Sequence, residues 1–315
     1  MDFRQLKALL AIADTGSMTK AAEMLNIVQP AVSRQLKLLE EDVGAILFER
    51  HRMGMQLTPD GEILAAYARR VLQELERARS EIRPGHQAIQ GKVSVGLLPS
   101  TAERLACTLV SRCAEKYPGI RLQFLVGYAG HMQAWLEQGE TDLALLYYPH
   151  PSALLHLTPV LEEQLWVVAT PEAGLQSDQP LALRSLSDKP LILPAPTHGI
   201  RNLVDHLAAA SQLSLNIIAE TNALDIQKAL VRAGHGWTIL PPIAFYEEMR
   251  QKTLCGAPLS DAGLQRTLGI GQSAVRRTPP AVACVRQLLM ESLFQLAGEE
   301  NWGSSHWIAG PVASS

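Results

Sequence analysis

The sequence predicts two domains of different class: a mainly α winged helix-turn-helix domain, then an α/β domain built from two similar lobes. Three observations predict it. Residues 1–58 carry three short helical patterns and then two strand-like pieces around a basic turn. Residues 59–82 carry one long helical pattern with a regular apolar seam. Beyond Gly91, strands and helices alternate, and the alternation occurs twice.

In the first segment, Phe3, Leu6, Leu9, Leu10 and Ala13 recur at helical spacing, and Thr15-Gly16-Ser17 breaks the run. Ala21, Ala22 and Leu25 mark a second, very short helix, with Ser17 placed to cap it. Val32, Leu36 and Leu39 mark a third, over "QPAVSRQLKLLEE". Two short helices, a tight turn and a helix with a polar face make the helix-turn-helix plan. "ILFERHRMGMQLT" then gives two short strands around a turn at Gly54, a wing.

Thr58-Pro59-Asp60 opens the long helix with a capping side chain, a proline in the first turn and an acid near the positive end of the helix dipole. Leu64, Ala68, Val71, Leu75, Ala78 and Ile82 follow at gaps of 4, 3, 4, 3 and 4, the spacing of a coiled-coil seam. Such a seam predicts dimerisation, the alternative being a helix lying on its own domain. Pro84-Gly85 ends the helix and Gly91 closes a hinge.

After the hinge, "KVSVGLL", a helix over 101–116, "IRLQFLV", a helix near 130–138 and "DLALLYY" give a β-α-β-α-β order, which implies a parallel sheet with helices on its faces. "LWVVAT", "PLILP", "LNIIAE" and "WTILP", with helices near 199–211 and 223–233, form a second set. "RTLGIGQ" and a helix near 280–297 return to the first lobe. The expected organisation is 1–58 winged helix-turn-helix, 59–90 linker helix and hinge, 91–163 with 268–300 the first lobe, 164–267 the second lobe, and 301–315 a frayed tail. Two lobes enclose a cleft, the usual place for a small ligand.

The 315 residues exceed one domain's usual length, and 47% apolar with 19% charged residues is ordinary for a globular protein. A formal net charge of −3 gives no global case for nucleic acid, so any such site must be local. The N-terminus lacks the apolar core of a signal peptide, and no run of about 18 apolar residues predicts a membrane span. The expected location is the cytoplasm, with no membrane partner. Cys107, Cys113, Cys255 and Cys284 form no CxxC pair and read as buried small hydrophobes. The histidines show no metal-ligand spacing, and no cofactor or metal is expected. "GIGQSA" at 269–274 fits a loose nucleotide pattern, but Arg276, Arg277, Pro279 and Pro280 follow where a helix is needed. No nucleophile, zinc or phosphate-loop motif suggests an enzyme.

The N-terminal residues carry a resemblance. Phe3, Leu6, "GSMTKAAEML" at 16–25, "QPAVSRQLKLLE" at 29–40, Gly44, "LFER" at 47–50 and "LTPDG" at 57–61 are similar to the LysR-type transcriptional regulators. "GKVSVGL", "GETDLAL" and "AGHGWTILP" extend the match more loosely. Within the family, the texture resembles the nitrogen-assimilation regulators. The resemblance implies a periplasmic-binding-protein-like effector domain, binding to double-stranded DNA at inverted repeats, assembly of dimers into tetramers, a small-molecule effector, and RNA polymerase as a candidate partner. An effector-independent regulator is the alternative, and a solute-binding protein the more distant one. In one departure, the family's frequent serine before the Gln-Pro pair is Val28, which cannot cap the third helix.

Gln29, Ser33 and Lys37 line one face of that helix, with Pro30 and Arg34 beside them. Gln pairs with adenine and Arg with guanine. Lys37, Thr19 and the wing residues Arg50 and Arg52 suit the backbone. In the cleft, Ser100 and Thr101 begin one helix and Thr197, His198 and Arg201 another, which favours an anion. Tyr128, Tyr147 and Asn222 are expected to line the walls. For Ser100 and Thr197, simple helix capping is the alternative.

Overall fold

The computed structural model describes residues 1–51, 54–82, 89–147, 152–196, 198–298, 302 and 305–310, without the side chains of 73, 76, 77, 79–82 and 129. Arg52, Thr197, the Ile82 side chain and the Pro84-Gly85 break lie outside the described residues. The chain divides into two compact units, Met1–His86 and Gln87–Ser315.

In the first unit, α1 (Phe3–Thr15), α2 (Met18–Leu25) and α3 (Gln29–Val43) surround Leu9, Ile12, Ala21, Val32 and Leu39, all fully buried. Ser17 caps α2 as expected, accepting from the Lys20 N–H at 3.4 Å. The start of α1 is a capping box that the apolar pattern did not reveal. Asp2 accepts from the Gln5 N–H at 2.9 Å, and Gln5 returns the bond to the Asp2 N–H at 2.7 Å. The wing is β1 (Phe48–His51) paired antiparallel with β2 (Gly54–Leu57). Gly54 has φ +127°, and a Cβ there would sit 2.5 Å from the Gly16 carbonyl, so only glycine lets the wing close on the turn between α1 and α2.

The long helix α4 (Pro59–Ile82) lies on its own domain at its front. Ala65 and Ala68 are buried, Leu64 and Leu72 pack partly on the three-helix core, and Arg69 reaches Asp14 of α1 at 3.0 Å. The expected seam is therefore corrected at its start: Leu64 and Ala68 serve intrachain packing. The apolar face left outside is Ile63, Tyr67 and Val71, with Ala78 further along. Leu75 is half-buried.

The second unit is built on a six-stranded mixed sheet, in the order β13, β6, β12, β5, β3, β4. Its strands are β3 (Gln90–Leu97), β4 (Gly119–Val126), β5 (Leu143–Tyr147), β6 (Leu155–Gln164), β12 (Gln265–Ser273) and β13 (Ser305–Trp307). The β3–β4 and β3–β5 pairs are parallel, as the alternating order predicted, while β12 runs antiparallel between β5 and β6. The helices α5 (Ala102–Lys116), α6 (Ala129–Gln138) and α10 (Pro280–Gly298) cover the core formed around Val95, Leu105, Leu136 and Leu289.

A second lobe holds the three-stranded order β10 (Thr238–Leu240), β7 (Trp166–Ala169), β11 (Cys255–Pro258) and the parallel pair β8 (Leu191–Leu193) with β9 (Ile217–Glu220). Its helices are α7 (Gly199–Ala210), α8 (Leu224–Arg232) and the short α9 (Tyr246–Arg250). "GIGQSA" is strand β12 and the bend after it. Side chains at Gly269 and Gly271 would collide with Leu157 and Leu146, so these glycines serve sheet packing.

Two expectations fail here. Only Cys113 is buried; Cys107 is exposed, and Cys255 and Cys284 are half-buried, because their helix and strand faces reach the surface. The frayed tail is not frayed over its described part. Trp302 is fully buried, and β13 pairs with β6 in the register Ser305↔Glu163. Burial of a large apolar side chain, worth roughly 3 kcal/mol, together with an added strand, holds the segment down. Among the described residues no helix is long and apolar enough to cross a membrane.

Candidate functional sites: a DNA-reading face and a cavity between lobes

Helix α3 begins at Gln29, with Pro30 in its first turn where a missing N–H is harmless. Val32, Leu36 and Leu39 are buried beneath it. On the opposite side Gln29, Pro30, Arg34 and Lys37 are exposed and Ser33 is half-buried. The Arg34 side chain makes no ion pair or hydrogen bond among the described residues, and neither does that of Arg50 on β1. Lys37 is only loosely paired, 3.7 Å from Glu41 and 78% exposed. Thr19, in the first turn of α2, is also exposed.

The nearby acids are engaged inside the unit. Glu40 accepts from the Leu47 N–H at 2.9 Å, Asp42 meets the N-terminal ammonium at 2.5 Å, and Glu49 lies 3.3 Å from His51. A chain with net negative charge thus still presents exposed, unpaired cations in its first unit, Arg34 on α3 and Arg50 on the wing.

The start of α3 has no side-chain cap. Val28 sits there in extended conformation, 69% exposed, and Asn26 is not an alternative because it closes α2 in the left-handed conformation. The Ala31 N–H turns back to the Val28 carbonyl at 2.9 Å instead. The Gln29 N–H is left without a partner among the described residues, at the exposed positive end of the helix dipole.

In the second unit a cavity of about 340 Å³ lies between the lobes. It is bordered by the segments leading into four helices: Leu98–Ser100 before α5, Tyr128 and Gly130 at α6, His198–Ile200 at α7, and Thr221 and Leu224 at α8. In a parallel α/β layer the strand ends deliver helix N-termini to one edge, where their unpaired N–H groups favour negative charge.

The expected wall residues divide. Ser100, Tyr128, Tyr147 and His198 line the cavity. Thr101 does not; it is buried and donates to the Leu98 carbonyl at 3.2 Å. Arg201 does not; it is held by Asp205 at 2.8 Å, Glu220 at 2.5 Å and the Pro194 carbonyl at 3.2 Å. Asn222 is exposed and also lies outside the lining.

His198 caps α7, its Nδ1 accepting from the Ile200 N–H at 3.2 Å, and its ring meets Tyr128 edge-on at 4.8 Å. Burial, assisted by the nearby Arg266 charge, lowers its pKa to about 4. The ring is therefore neutral, and with Nδ1 accepting, the proton is on Nε2 as a donor. The Tyr147 hydroxyl is buried beside Glu163 and Ser100, and burial pushes its phenol far above the ordinary range even though Arg266 pulls the other way.

The residue that sequence reasoning missed is Arg266. It lines the cavity from β12, stacks over the Tyr147 ring at 3.5 Å and pairs with Glu163 at 2.6 Å. No local motif marks it: its partners stand 103 and 119 positions away along the chain, since 266 − 163 = 103 and 266 − 147 = 119.

A winged helix-turn-helix with a free cationic face, followed by an α/β unit holding a ligand-sized cavity, defines a one-chain DNA-binding regulator. Residues 3–62 match the bacterial regulatory helix-turn-helix proteins of the lysR family, and residues 86–293 match the LysR substrate binding domain. The chain belongs to the LysR family of transcriptional regulators. It is 30% identical over 297 residues to the nitrogen assimilation regulatory protein nac of Klebsiella aerogenes, covering 92% of this chain and 94% of that one. A probable nitrogen assimilation transcriptional activator of Synechococcus elongatus is 28% identical over 93% of this chain and 96% of its own. In fold it is similar to a full-length OxyR variant from Pseudomonas aeruginosa, with TM-score 0.71, 23% identity and coverage of 93% and 94%. CbnR complexed with its target DNA gives TM-score 0.70, 21% identity and coverage of 93% and 100%.

Two measurements check this local chemistry. Val28→Ser supplies the missing cap, and the urea midpoint of the DNA-binding unit should rise by about 1 kcal/mol equivalent at unchanged slope. For His198, the unfolded chain takes up a proton near pH 6.5 while the folded one resists until about pH 4, so its contribution to stability falls as pH drops through that window. His198→Asn keeps a capping acceptor and removes the titration; its melting temperature should depend less on pH between 5 and 6.5 than that of the wild type.

Proposed function

We propose that the regulator reads its operator with the exposed face of α3 and responds to a small anionic metabolite held between the lobes. The observation that carries the DNA reading is Arg34, exposed and unpaired beside Gln29 and Ser33, on a helix whose other face is buried. Gln29, Pro30, Ser33 and Arg34 enter the major groove and meet base edges. Thr19, Lys37, Arg50 and the uncapped Gln29 N–H take phosphates, and Arg52 extends the wing's contact.

One copy offers few cations, so affinity comes from pairing copies, and a two-fold pair requires an inverted-repeat site. The pairing face is the outer stripe of α4, Ile63, Tyr67 and Val71 continuing through Leu75, Ala78 and Ile82. Dimers join into tetramers, with RNA polymerase as the further partner, in the cytoplasm. The effector reading is supported by the four helix starts around the cavity, the Arg266 guanidinium and the donors Ser100, Tyr147 and His198.

Arg34→Ala should weaken binding to a selected operator by about 1–3 kcal/mol while changing random-duplex binding far less. Arg50→Ala should weaken both and reduce the salt slope by about one. Equal losses for Arg34→Ala on both duplexes, measured at matched salt, would remove its base-reading role. For the assembly, Tyr67→Asp places a charge on the outer stripe and should shift sedimentation toward monomer with the far-ultraviolet spectrum unchanged. An unchanged oligomer would move the interface elsewhere.

A further inference from the structure

We propose that the cavity takes a small monocarboxylic acid with an apolar body, its carboxylate read by Arg266, which Glu163 and Trp302 hold in place from behind. The inference rests on reading the cavity as the effector site and narrows what that site accepts.

Arg266 is the only charged side chain that lines the cavity among the described residues. Its Nε and one terminal nitrogen both meet the same Glu163 oxygen at 2.6 Å. The guanidinium plane lies over Tyr147, and the other terminal nitrogen has no partner among the described residues. Glu163 is fully buried, and its second oxygen accepts from the Trp302 indole N–H at 2.6 Å. Both carboxylate oxygens are therefore engaged, one by Arg266 and one by Trp302. Glu163 cannot turn to take the remaining guanidinium edge, which stays directed to whatever fills the cavity.

Ser100, the Tyr147 hydroxyl and the neutral His198 line the same cavity and can each donate to a ligand. Donors without a matching carboxylate specify an acceptor-rich group, and the neighbouring helix starts favour its negative charge. Most of the remaining lining is apolar, with Leu98, Leu203, Leu224 and Leu240 among it, while Thr221, Gln227 and Gln265 add neutral polar side chains. A second carboxylate would have no cation there. An ammonium would have no anion, since no Asp or Glu lines the cavity among the described residues. Amino acids and dicarboxylic acids are thus disfavoured by the cost of burying an unpaired charge. At about 340 Å³ the space sits at the small end of ligand pockets.

Trp302 lies beyond the stretch that matches the family's ligand-binding domain, which ends at residue 293. This chain's own C-terminal segment therefore positions the cation.

The test uses the full-length protein and isothermal titration with benzoate, 3-methylbutanoate, benzamide, succinate and glutamate. The two monocarboxylates should bind, with benzoate at least about tenfold tighter than benzamide, as expected for a charged rather than neutral hydrogen-bonded group. Arg266→Gln alone leaves Glu163 charged and buried, so the double variant Arg266→Gln/Glu163→Gln is used, and it should abolish the benzoate preference. Trp302→Phe keeps the packed ring but frees one Glu163 oxygen to compete for Arg266. It should lower the benzoate-to-benzamide ratio, whereas a purely structural role would lower the melting temperature and leave that ratio alone. Succinate or glutamate binding more tightly than benzoate, and lost in the cavity-filling Leu203→Trp, would overturn the ligand class and keep the effector site. Binding by none of the five, with DNA binding intact, would count against the effector site and this inference together.

Discussion

The α/β unit turns on one buried carboxylate. Glu163, near the end of strand β6, accepts from the Arg266 side chain of β12 and from the indole N–H of Trp302 beyond α10. Three distant parts of the chain meet on two oxygen atoms. A buried ion pair of this kind is a modest source of net stability, but removing one partner strands a charge and costs about 3–5 kcal/mol. The arrangement therefore enforces one geometry more than it adds stability. Because Arg266 also stacks on Tyr147, that geometry fixes the polar corner of the cavity.

The DNA-binding unit follows the opposite logic, with Arg34 and Arg50 left unpaired at its surface. Glu40, Asp42 and Glu49 are engaged by a backbone amide, the N-terminus and a wing histidine, while the Arg34 and Arg50 side chains have no ion-pair partner among the described residues. The helix start at Val28 is likewise incomplete. A free protein with an uncapped, exposed helix N-terminus gives up some stability, and an anion arriving at that end recovers it. The same feature that weakens the isolated unit suits it to a polyanionic partner.

Much of the fold was legible because local patterns and tertiary roles coincide. Val32, Leu36 and Leu39 repeat at helical spacing and are the residues buried. Ser17 and Pro30 punctuate helices by local geometry alone. Legibility failed where a role depends on neighbours far along the chain. Leu64 and Ala68 have seam spacing, but whether a seam faces another copy or its own domain is set by where α1 lies. Arg201 looked like a ligand contact at a helix start, yet Glu220 of β9 and Asp205 one turn away had already claimed it. The small, polar tail looked disordered because one tryptophan's pocket cannot be seen from its own neighbours.

Local patterning was enough to settle the two-part plan, the third helix with its exposed polar face, and the alternation that brings helix starts to one edge of each lobe. These follow from periodicity and capping, which act within a few residues. It took the assembled fold to choose which cation faces the cavity, which face of α4 stays outside, and whether the C-terminal segment joins the α/β unit. The cavity's cation and the tail's anchoring depend on ion pairs and burial between residues more than a hundred positions apart. Such pairings carry no spacing rule, since the fold alone brings the partners within reach.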